Sequence, residues 1–443
     1  MERIAELITT PEVSYAFWRV PYRAVQVTAY TGVACVTFAL RFALRRSVRL
    51  RWREESGLAM AALCERLGPA FIKAAQVVSA RPDLLTPEFA RGLARLQDRV
   101  EPMSQAELSA VLREAYRAEP NEVFREFDPV PIAAASISQV HRAIGRYGET
   151  LAIKVKRPGV GECMALDVAA IRWLAKVASR TPGMSSLPVE ELAEEILAPV
   201  LQQLDFFRER ANNRRFRANL RNAGQIRIPK IADEYSTEST IAMEFVDGFI
   251  KAPAVELSAV ERRDAALAGL RALYHMIFVD GFVHADLHPG NLGFCRNGIL
   301  VLLDTGLVAE LEAQDRLEFV EFFFGMVNND GKLCARILRK QASAVSSSFQ
   351  EDRFEADMCS LIAKHSALKS AEFQIAVFVA EMLSVQRRHG MRGSPKFIMT
   401  VLSMAIYDGI CKQLYPQCDF QKEARPYLVL GWYGGAPRAK VRI

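Results

Sequence analysis

The eight cysteines of this chain, from Cys35 to Cys418, never form a C-x-x-C pair. That argues against a disulfide framework or a structural zinc site and for a reducing compartment. No internal repeat and no low-complexity run stands out, so neither a repeat array nor a biased tail accounts for the length. Charge of one sign is in no great excess. The net value is +6 over 443 residues, and nothing in it calls for a nucleic-acid partner. Long apolar runs are scarce. The one near the start, Ala24 to Leu40, lies behind Met1 to Pro21 and has no A-x-A site after it, which speaks against a cleaved signal peptide. Half of the residues are apolar, enough for two lobes and extensions.

What is present carries chemistry. His284-Ala285-Asp286-Leu287-His288-Pro289-Gly290-Asn291 reads H-x-D-x-x-x-x-N, and Asp304-Thr305-Gly306 reads D-x-G. Phosphoryl transfer asks for such a set: a carboxylate that orients or deprotonates the attacking hydroxyl, then an amide and a second carboxylate for magnesium. Between the two halves lie Leu292 to Phe294, then Cys295-Arg296-Asn297-Gly298, then Ile299 to Leu303. This predicts a β-hairpin on an Asn-Gly turn, in which both central residues take positive φ. Such a hairpin returns Asn291 and Asp304 to one end, where both can face one metal. His284 and His288 at i, i+4 spacing offer a second reading, a metal pair, but Pro289-Gly290 opposes a continuing helix. A structural loop with buried histidines is the third.

A lysine for the nucleotide phosphates is then expected upstream on a strand, with a helical glutamate to position it. Thr150-Leu151-Ala152-Ile153-Lys154-Val155 matches V-A-I-K. It follows a predicted strand from Ser136 to Ile144 and a Gly145-Arg146-Tyr147-Gly148 turn. A lone lysine in a strand is usually an exposed edge residue. The glycine loop that would cover the phosphates is missing; the chain has Pro131-Ile132-Ala133-Ala134-Ala135-Ser136 instead. Alanine carries a Cβ, so this loop is stiffer than a glycine loop and reaches positive φ only at a cost. The candidate glutamate is Glu209. Leu197, Leu201, Leu204 and Phe207 (or Phe206) recur at helical spacing, so a core-facing stripe is the default, and spacing alone reads Glu209 as a solvated charge.

Together these pieces resemble the UbiB/AarF family of atypical kinases, protein-kinase-like proteins linked to isoprenoid quinone synthesis. The resemblance runs through Leu67 to Leu85, Leu96 to Val100, the alanine loop with Gln139-Val140-His141, Ala152 to Val155, Leu204 to Glu209, Met243 to Gly248 and the catalytic stretch. It implies an α+β, two-lobed protein-kinase-like fold with a small β-rich N-lobe, a helical C-lobe and a family-specific N-terminal helical extension. The segments implied are a membrane-associated basic segment 1–60, the extension 61–130, the N-lobe 131–246 and the C-lobe 247–443. Lys73 and Gln76 would be the extension residues of the K-x-G-Q motif, with Lys73 reaching into the active site. Lys154 would be the phosphate lysine and Glu209 its partner, with Ala133, Ala134, Ala135 and Ser136 over the nucleotide. Asp286 would be the catalytic aspartate, Asn291 and Asp304 the magnesium ligands, and Met243, Glu244 and Val246 the adenine hinge. ATP and Mg2+ are the implied cofactors, and an ATPase or small-molecule kinase is implied more than a protein kinase.

The chain departs from the family at three points. K-x-G-Q is Lys73-Ala74-Ala75-Gln76, and E-x-D is Gln203-Leu204-Asp205, which removes the carboxylate that would pair with Lys73. The D-F-G phenylalanine is Thr305, which should weaken apolar packing behind the magnesium loop. None of these is a direct ligand, so regulation is put in doubt more than nucleotide binding.

The apolar run from Ala24 through Leu44 is followed by Arg45, Arg46, Arg49, Arg51 and Arg53. Its uninterrupted part is about the shortest that spans a bilayer, and the arginines would keep the catalytic domain on the cytoplasmic face. A helix lying on the membrane surface and a buried helix on the N-lobe are the competing readings. Arg208, Arg210, Arg214, Arg215, Arg217 and Arg221 form a second basic cluster, read as a solvated helix face, with anionic lipid as the other option. After Asp304 the chain reads as helices. Its aromatic stretch Leu317 to Phe324 fits a C-lobe core, with a prenyl-chain pocket as the minority option. The expected activity is a membrane-associated atypical kinase or ATPase serving an isoprenoid quinone or related lipid, with that lipid or quinone precursor and lipid-biosynthesis enzymes as partners. A soluble small-molecule phosphotransferase and a nucleotide-binding scaffold are the alternatives.

Overall fold

The structure, a computed structural model, describes residues 16–45, 48, 50–79, 85–93, 96, 101–181, 189–251, 254–366 and 372–434. Readings that touch residues 1–15, Arg46, Arg49, Ala80 to Leu84, Gln97 to Val100 or the last nine residues lie outside these. The chain forms two compact units. One runs to Phe206 and takes back Ala232–Ala242; the other holds Phe207–Ile231 and everything from Met243 on. These units do not follow the four expected segments. The extension and the lysine strand fall in one unit, while Glu209 belongs to the other.

The first unit opens with helices α1 (Ala16–Leu44), α2 (Trp52–Leu67), α3 (Pro69–Ser79), α4 (Pro87–Leu93) and α5 (Gln105–Tyr116). Helix α5 starts where it does because Ser104 and Glu107 form a capping box: Glu107 N–H donates to Ser104 Oγ at 3.3 Å and Ser104 N–H to Glu107 at 2.8 Å. Strands β1 (Glu126–Phe127), β2 (Ala133–Ala134), β3 (Ser138–Ile144) and β4 (Thr150–Lys156) follow, then helices α6 (Val160–Ala178) and α7 (Val189–Gln202). The sheet order is β1-β3-β4-β6, with β2 also on β3 and β6 spanning Thr240–Glu244. The expected turn is there. Gly145 N–H donates to the Glu149 carbonyl at 2.9 Å, and Gly148 takes φ 90°, a left-handed value that suits glycine. Alternation in β4 sends Leu151, Ile153 and Val155 into a core with Leu112, Phe124 and Tyr235. Each such burial stabilises by roughly 1.5–3 kcal/mol.

The second unit begins with helix α8 (Phe206–Asn219, whose first residue belongs to the first unit) and continues with strand β5 (Ile226–Arg227). Strand β7 (Ile250–Lys251), helix α9 (Ala259–Tyr274), and strands β8 (Phe282–His284), β9 (Leu292–Cys295), β10 (Ile299–Leu302) and β11 (Val308–Glu310) come next. Helices α10 (Ala313–Val327), α11 (Gly331–Lys340), α12 (Glu351–Ser366), α13 (Ile375–Arg388), α14 (Pro395–Leu414) and α15 (Phe420–Gly434) complete the unit, with strands β12 (Ala342–Val345) and β13 (Met391–Gly393) paired between them. The stretch after Asp304 is therefore mostly, not wholly, helical. Strands β9 and β10 form the expected hairpin. Asn297 and Gly298 sit at φ 66° and 69°, and a Cβ on Gly298 would lie 2.8 Å from that of Asp264. Glu261 caps α9 and also accepts the Asn297 N–H at 2.9 Å, and these backbone and side-chain donors hold its carboxyl down at about 2.

The aromatic stretch on α10 makes core, which corrects the prenyl-pocket option. Phe319, Phe322 and Phe323 are buried, and Phe319 stacks on Phe397 of α14 at 4.4 Å. Phe324 alone of these faces out, beside Trp432.

Candidate active site

In the second unit the H-x-D-x-x-x-x-N stretch is a loop between β8 and β9, not a helix, as Pro289-Gly290 foretold. Asn291 holds its shape: Nδ2 donates to both the backbone oxygen and Oδ2 of Asp286 at 3.0 Å. The Leu303 N–H donates to the Asn291 carbonyl at 3.0 Å, which brings the start of the D-x-G segment beside the loop. His288 Nδ1 accepts the Gly290 N–H at 2.9 Å, and its Nε2 lies 3.5 Å from Asp286 Oδ2. An amide and an imidazole thus flank the Asp286 carboxylate.

His284 is fully buried and uses both ring nitrogens on backbone. Its Nδ1 accepts the Asp286 N–H at 3.2 Å, and its Nε2–H donates to the Asp304 carbonyl. Those partners fix one neutral tautomer. Burial pushes its pKa below the ordinary value, although the Asp304 carbonyl and the charges of Asp286 and Asp304 act the other way. A ring committed in this way is no half of a metal pair with His288. It splices the aspartate loop to the D-x-G loop.

Thr305 corrects an expectation. Rather than leaving a gap, its Oγ1 donates to the Glu209 carbonyl at 3.1 Å, while Asn212 Nδ2 donates to the Thr305 carbonyl at 2.9 Å. Polar bonds to α8 stand in place of the apolar packing that a phenylalanine would give. Glu209 is also corrected: it is buried, not solvated. Its carboxylate faces the D-x-G turn, since a Cβ placed on Gly306 would lie 3.2 Å from Asp304 Oδ1 and 3.5 Å from Glu209 Oε2. The apolar stripe breaks between α7 and α8, so Phe206 is the buried ring and Phe207 the exposed one. Of the second basic cluster, Arg210 is buried, whereas Arg214, Arg215, Arg217 and Arg221 are exposed as expected. Glu244 carries an ion pair with Arg227 and accepts the Lys230 N–H at 3.2 Å. Burial alone would raise its pKa; these two partners outweigh burial and hold it below the ordinary value. Val246 is buried with Cys295 and Val301.

In the first unit Lys154 lies in an interior strand, not at an edge, paired in register with Val140 of β3. Its Nζ is 5.4 Å from the centre of the Phe206 ring, which also carries Lys156 at 4.6 Å. The alanine segment is a hydrogen-bonded turn. Ala133 and Ala134 pair with Val140 and Gln139, and Ala135 N–H donates to Ser138 O at 2.8 Å. Ser136 is buried. Arg157 secures this turn: its Nε donates to the Ala135 carbonyl at 2.8 Å and its Nη2 to the Glu101 carbonyl at 2.7 Å. Lys73 and Gln76 lie on α3, which packs Ala70 against Ile137, Val160, Met164 and Val200. Gln76 Nε2 donates to the Leu96 carbonyl at 3.3 Å.

The structure brings Asp286, Asn291, Asp304 and Glu209 together in one unit, and Lys73, Gln76, Lys154 and the alanine turn in the other. Sequence reasoning missed Arg157, which no motif marks, and the splice made by His284. It also missed Asn212, which sits three residues after Glu209 and so on the same helix face. Among the described residues no three His, Cys, Asp or Glu side chains converge as a metal cluster. One carboxylate and one amide oxygen are nonetheless the hard donors that magnesium takes alongside substrate phosphates, so Asp304 and Asn291 fit that ion.

The profile described as the ABC1 atypical kinase-like domain matches residues 95–338. An uncharacterised Synechocystis protein is 33% identical over 312 residues, 68% of this chain and 76% of its own length. A probable protein kinase UbiB of Aeromonas salmonicida is 30% identical over 372 residues, 82% of this chain and 68% of its own. Among solved structures, Rv3197 of Mycobacterium tuberculosis, determined with erythromycin, aligns with a TM-score of 0.59 at 21% identity over 88% of this chain and 99% of its own. At that identity the likeness shows the kinase-like fold alone.

Proposed function

From its place in the ABC1 atypical kinase-like family, to which this chain belongs together with the UbiB proteins, we propose that it is a membrane-associated ATP-dependent phosphotransferase or ATPase. The observation that carries this reading is the Asp286–Asn291–Asp304 set. An aspartate held by an amide lies one short hairpin away from a second carboxylate, and His284 ties their backbones together. Phosphoryl transfer is mostly positioning plus charge stabilisation, so a rigid polar frame of this kind is what the reaction needs. Asp286 would orient the attacking oxygen, of water or of a small-molecule hydroxyl, and take up its proton. Lys154 would hold the nucleotide phosphates. Ala133 to Ser136, Lys73 and Gln76, and separately Glu244 and Val246, are the further residues that the family resemblance assigns to the nucleotide site. Asn291 and Asp304 would hold Mg2+, which when bound neutralises charge on the phosphates.

Membrane association is supported by α1, whose stretch Arg19–Leu44 is long and apolar enough to cross a membrane and is mostly exposed; a lipid of the isoprenoid quinone class, as the resemblance implies, would be the acceptor or effector. Among the described residues the other helix of that length and hydropathy is α14, which has 67% of its most apolar stretch buried and is core. The test is ATP hydrolysis by the full chain, with and without anionic liposomes and a quinone-precursor-like phenol, with Asp304→Asn alongside. Turnover that rises with lipid or phenol and vanishes in Asp304→Asn supports the reading. Tight nucleotide binding without turnover under every condition replaces it with a scaffold.

A further inference from the structure

Helix α1 divides its surface in two. One face of its first half is committed to the protein, while Tyr22 and Val25 on the other face are exposed. Arg23 Nε donates to Asp167 Oδ1 of α6 at 2.7 Å, and Asp167 is fully buried. Arg23 also bonds the Leu67 carbonyl, and Val27 packs with Leu63 and Leu67. That descending register makes α1 and α2 an antiparallel pair.

Beyond Ala34, which packs on the Leu63 and Leu67 cluster, the helix is mostly bare, with Phe38 half-buried and Val48 past its end buried. From Cys35 to Arg45 every described residue except Phe38 is exposed. Val36 (60%), Leu40 (56%) and Leu44 (81%) are bare, and across the turn so are Leu50 (76%) and Trp52 (49%). Apolar exposure all around a helix is costly in water and ordinary in lipid. Arginines sit among these side chains: Arg41, Arg45, Arg51 and Arg53 are all exposed, and the Arg53 guanidinium lies 5.4 Å over the Trp52 ring. Tryptophan prefers the headgroup level, and clustered arginine favours anionic lipid.

Length decides how this tip meets a bilayer. The free stretch from Cys35 to Leu44 rises about 15 Å at 1.5 Å per residue, half of the roughly 30 Å hydrocarbon core. The preceding turns of α1 cannot cross lipid while Ala24 and Val27 are buried and Val27 and Ala34 pack with Leu63 and Leu67 of α2. We infer that the α1–α2 tip dips into one leaflet of an anionic membrane and does not span it, so that both arms of the hairpin stay on one face of the bilayer. This rests on the membrane reading above and replaces its span with a monotopic insertion.

The experiment uses the full chain with a tag at its N-terminus, vesicles of phosphatidylcholine with or without phosphatidylglycerol, flotation, and protease added outside sealed vesicles. The expected result is flotation that needs the anionic lipid. Tag and catalytic units should be digested together. Leu44→Glu with Leu50→Glu, both largely exposed positions, should keep the far-UV spectrum and lower partitioning by about 100-fold, since two lipid-buried leucines are lost. A tag protected while the catalytic units are cut overturns the inference and leaves a spanning anchor, so the membrane reading survives. No flotation on any vesicle removes the membrane reading itself. Self-association of the parent without lipid, abolished in the double variant, overturns both in favour of a second copy on the tip.

Discussion

Replacing His284 by phenylalanine keeps a ring of similar volume beside Phe216, whose centroid is 5.7 Å away, and removes only the two polar bonds. The Asp286 N–H and the Asp304 carbonyl then lose a partner inside a buried site. Each such loss costs about 1–3 kcal/mol, so His284→Phe should destabilise the protein by roughly 2–6 kcal/mol, a large share of a stability of about 5–15 kcal/mol. Urea unfolding followed by circular dichroism reads this directly. The pH dependence gives a second, independent check. The folded pKa of His284 is depressed below its ordinary 6.5, so the unfolded chain binds the proton first. Its contribution is therefore present above about 6.5 and is lost as pH falls below that value. The deficit of the phenylalanine variant should shrink on acidification from pH 8 to pH 5, by at most about 1.4 kcal/mol per pH unit. A variant as stable as the parent, or a deficit independent of pH, refutes the splice.

Thr305→Val, which keeps shape and removes the bond to the Glu209 carbonyl, should cost about 1 kcal/mol. Thr305→Phe, overfilling a site only 1% exposed, should cost about 1–3 kcal/mol; thermal unfolding ranks the two. Arg157→Ala frees the Ala135 and Glu101 carbonyls and should loosen the alanine turn. Hydrogen exchange at Ala135 and Ser138 should then rise about tenfold for each 1.4 kcal/mol lost, and unchanged exchange would remove Arg157 from that role.

The sequence was most legible where structure is local. Asn297-Gly298 demands positive φ at adjacent residues, and the hairpin formed there with Asn291 and Asp304 at its open end. Lys154 and the Gly145–Gly148 turn were readable for the same reason. Glu209 was not, because its burial depends on the D-x-G turn nearly a hundred residues on in the chain. Thr305 was misread through an analogy with phenylalanine, when its hydroxyl had a carbonyl to bond. The division of the chain was also hidden. Periodicity across Leu197 to Phe207 looks continuous, yet Leu204 and Asp205 lie between two helices.

The interleaving of the two units bears on synthesis at the ribosome. Strand β4 has β3 on one side and β6 on the other, and β6 follows roughly 80 residues later. Until Thr240 to Ala242 emerge, the outer row of β4 amides and carbonyls has no strand to pair with. At about 5–20 residues per second that row waits for about 4–16 s, with Leu151, Ile153 and Val155 beside it. A nascent chain stalled within α8 would therefore present an adhesive edge, and a gene cut at residue 231 would encode one permanently.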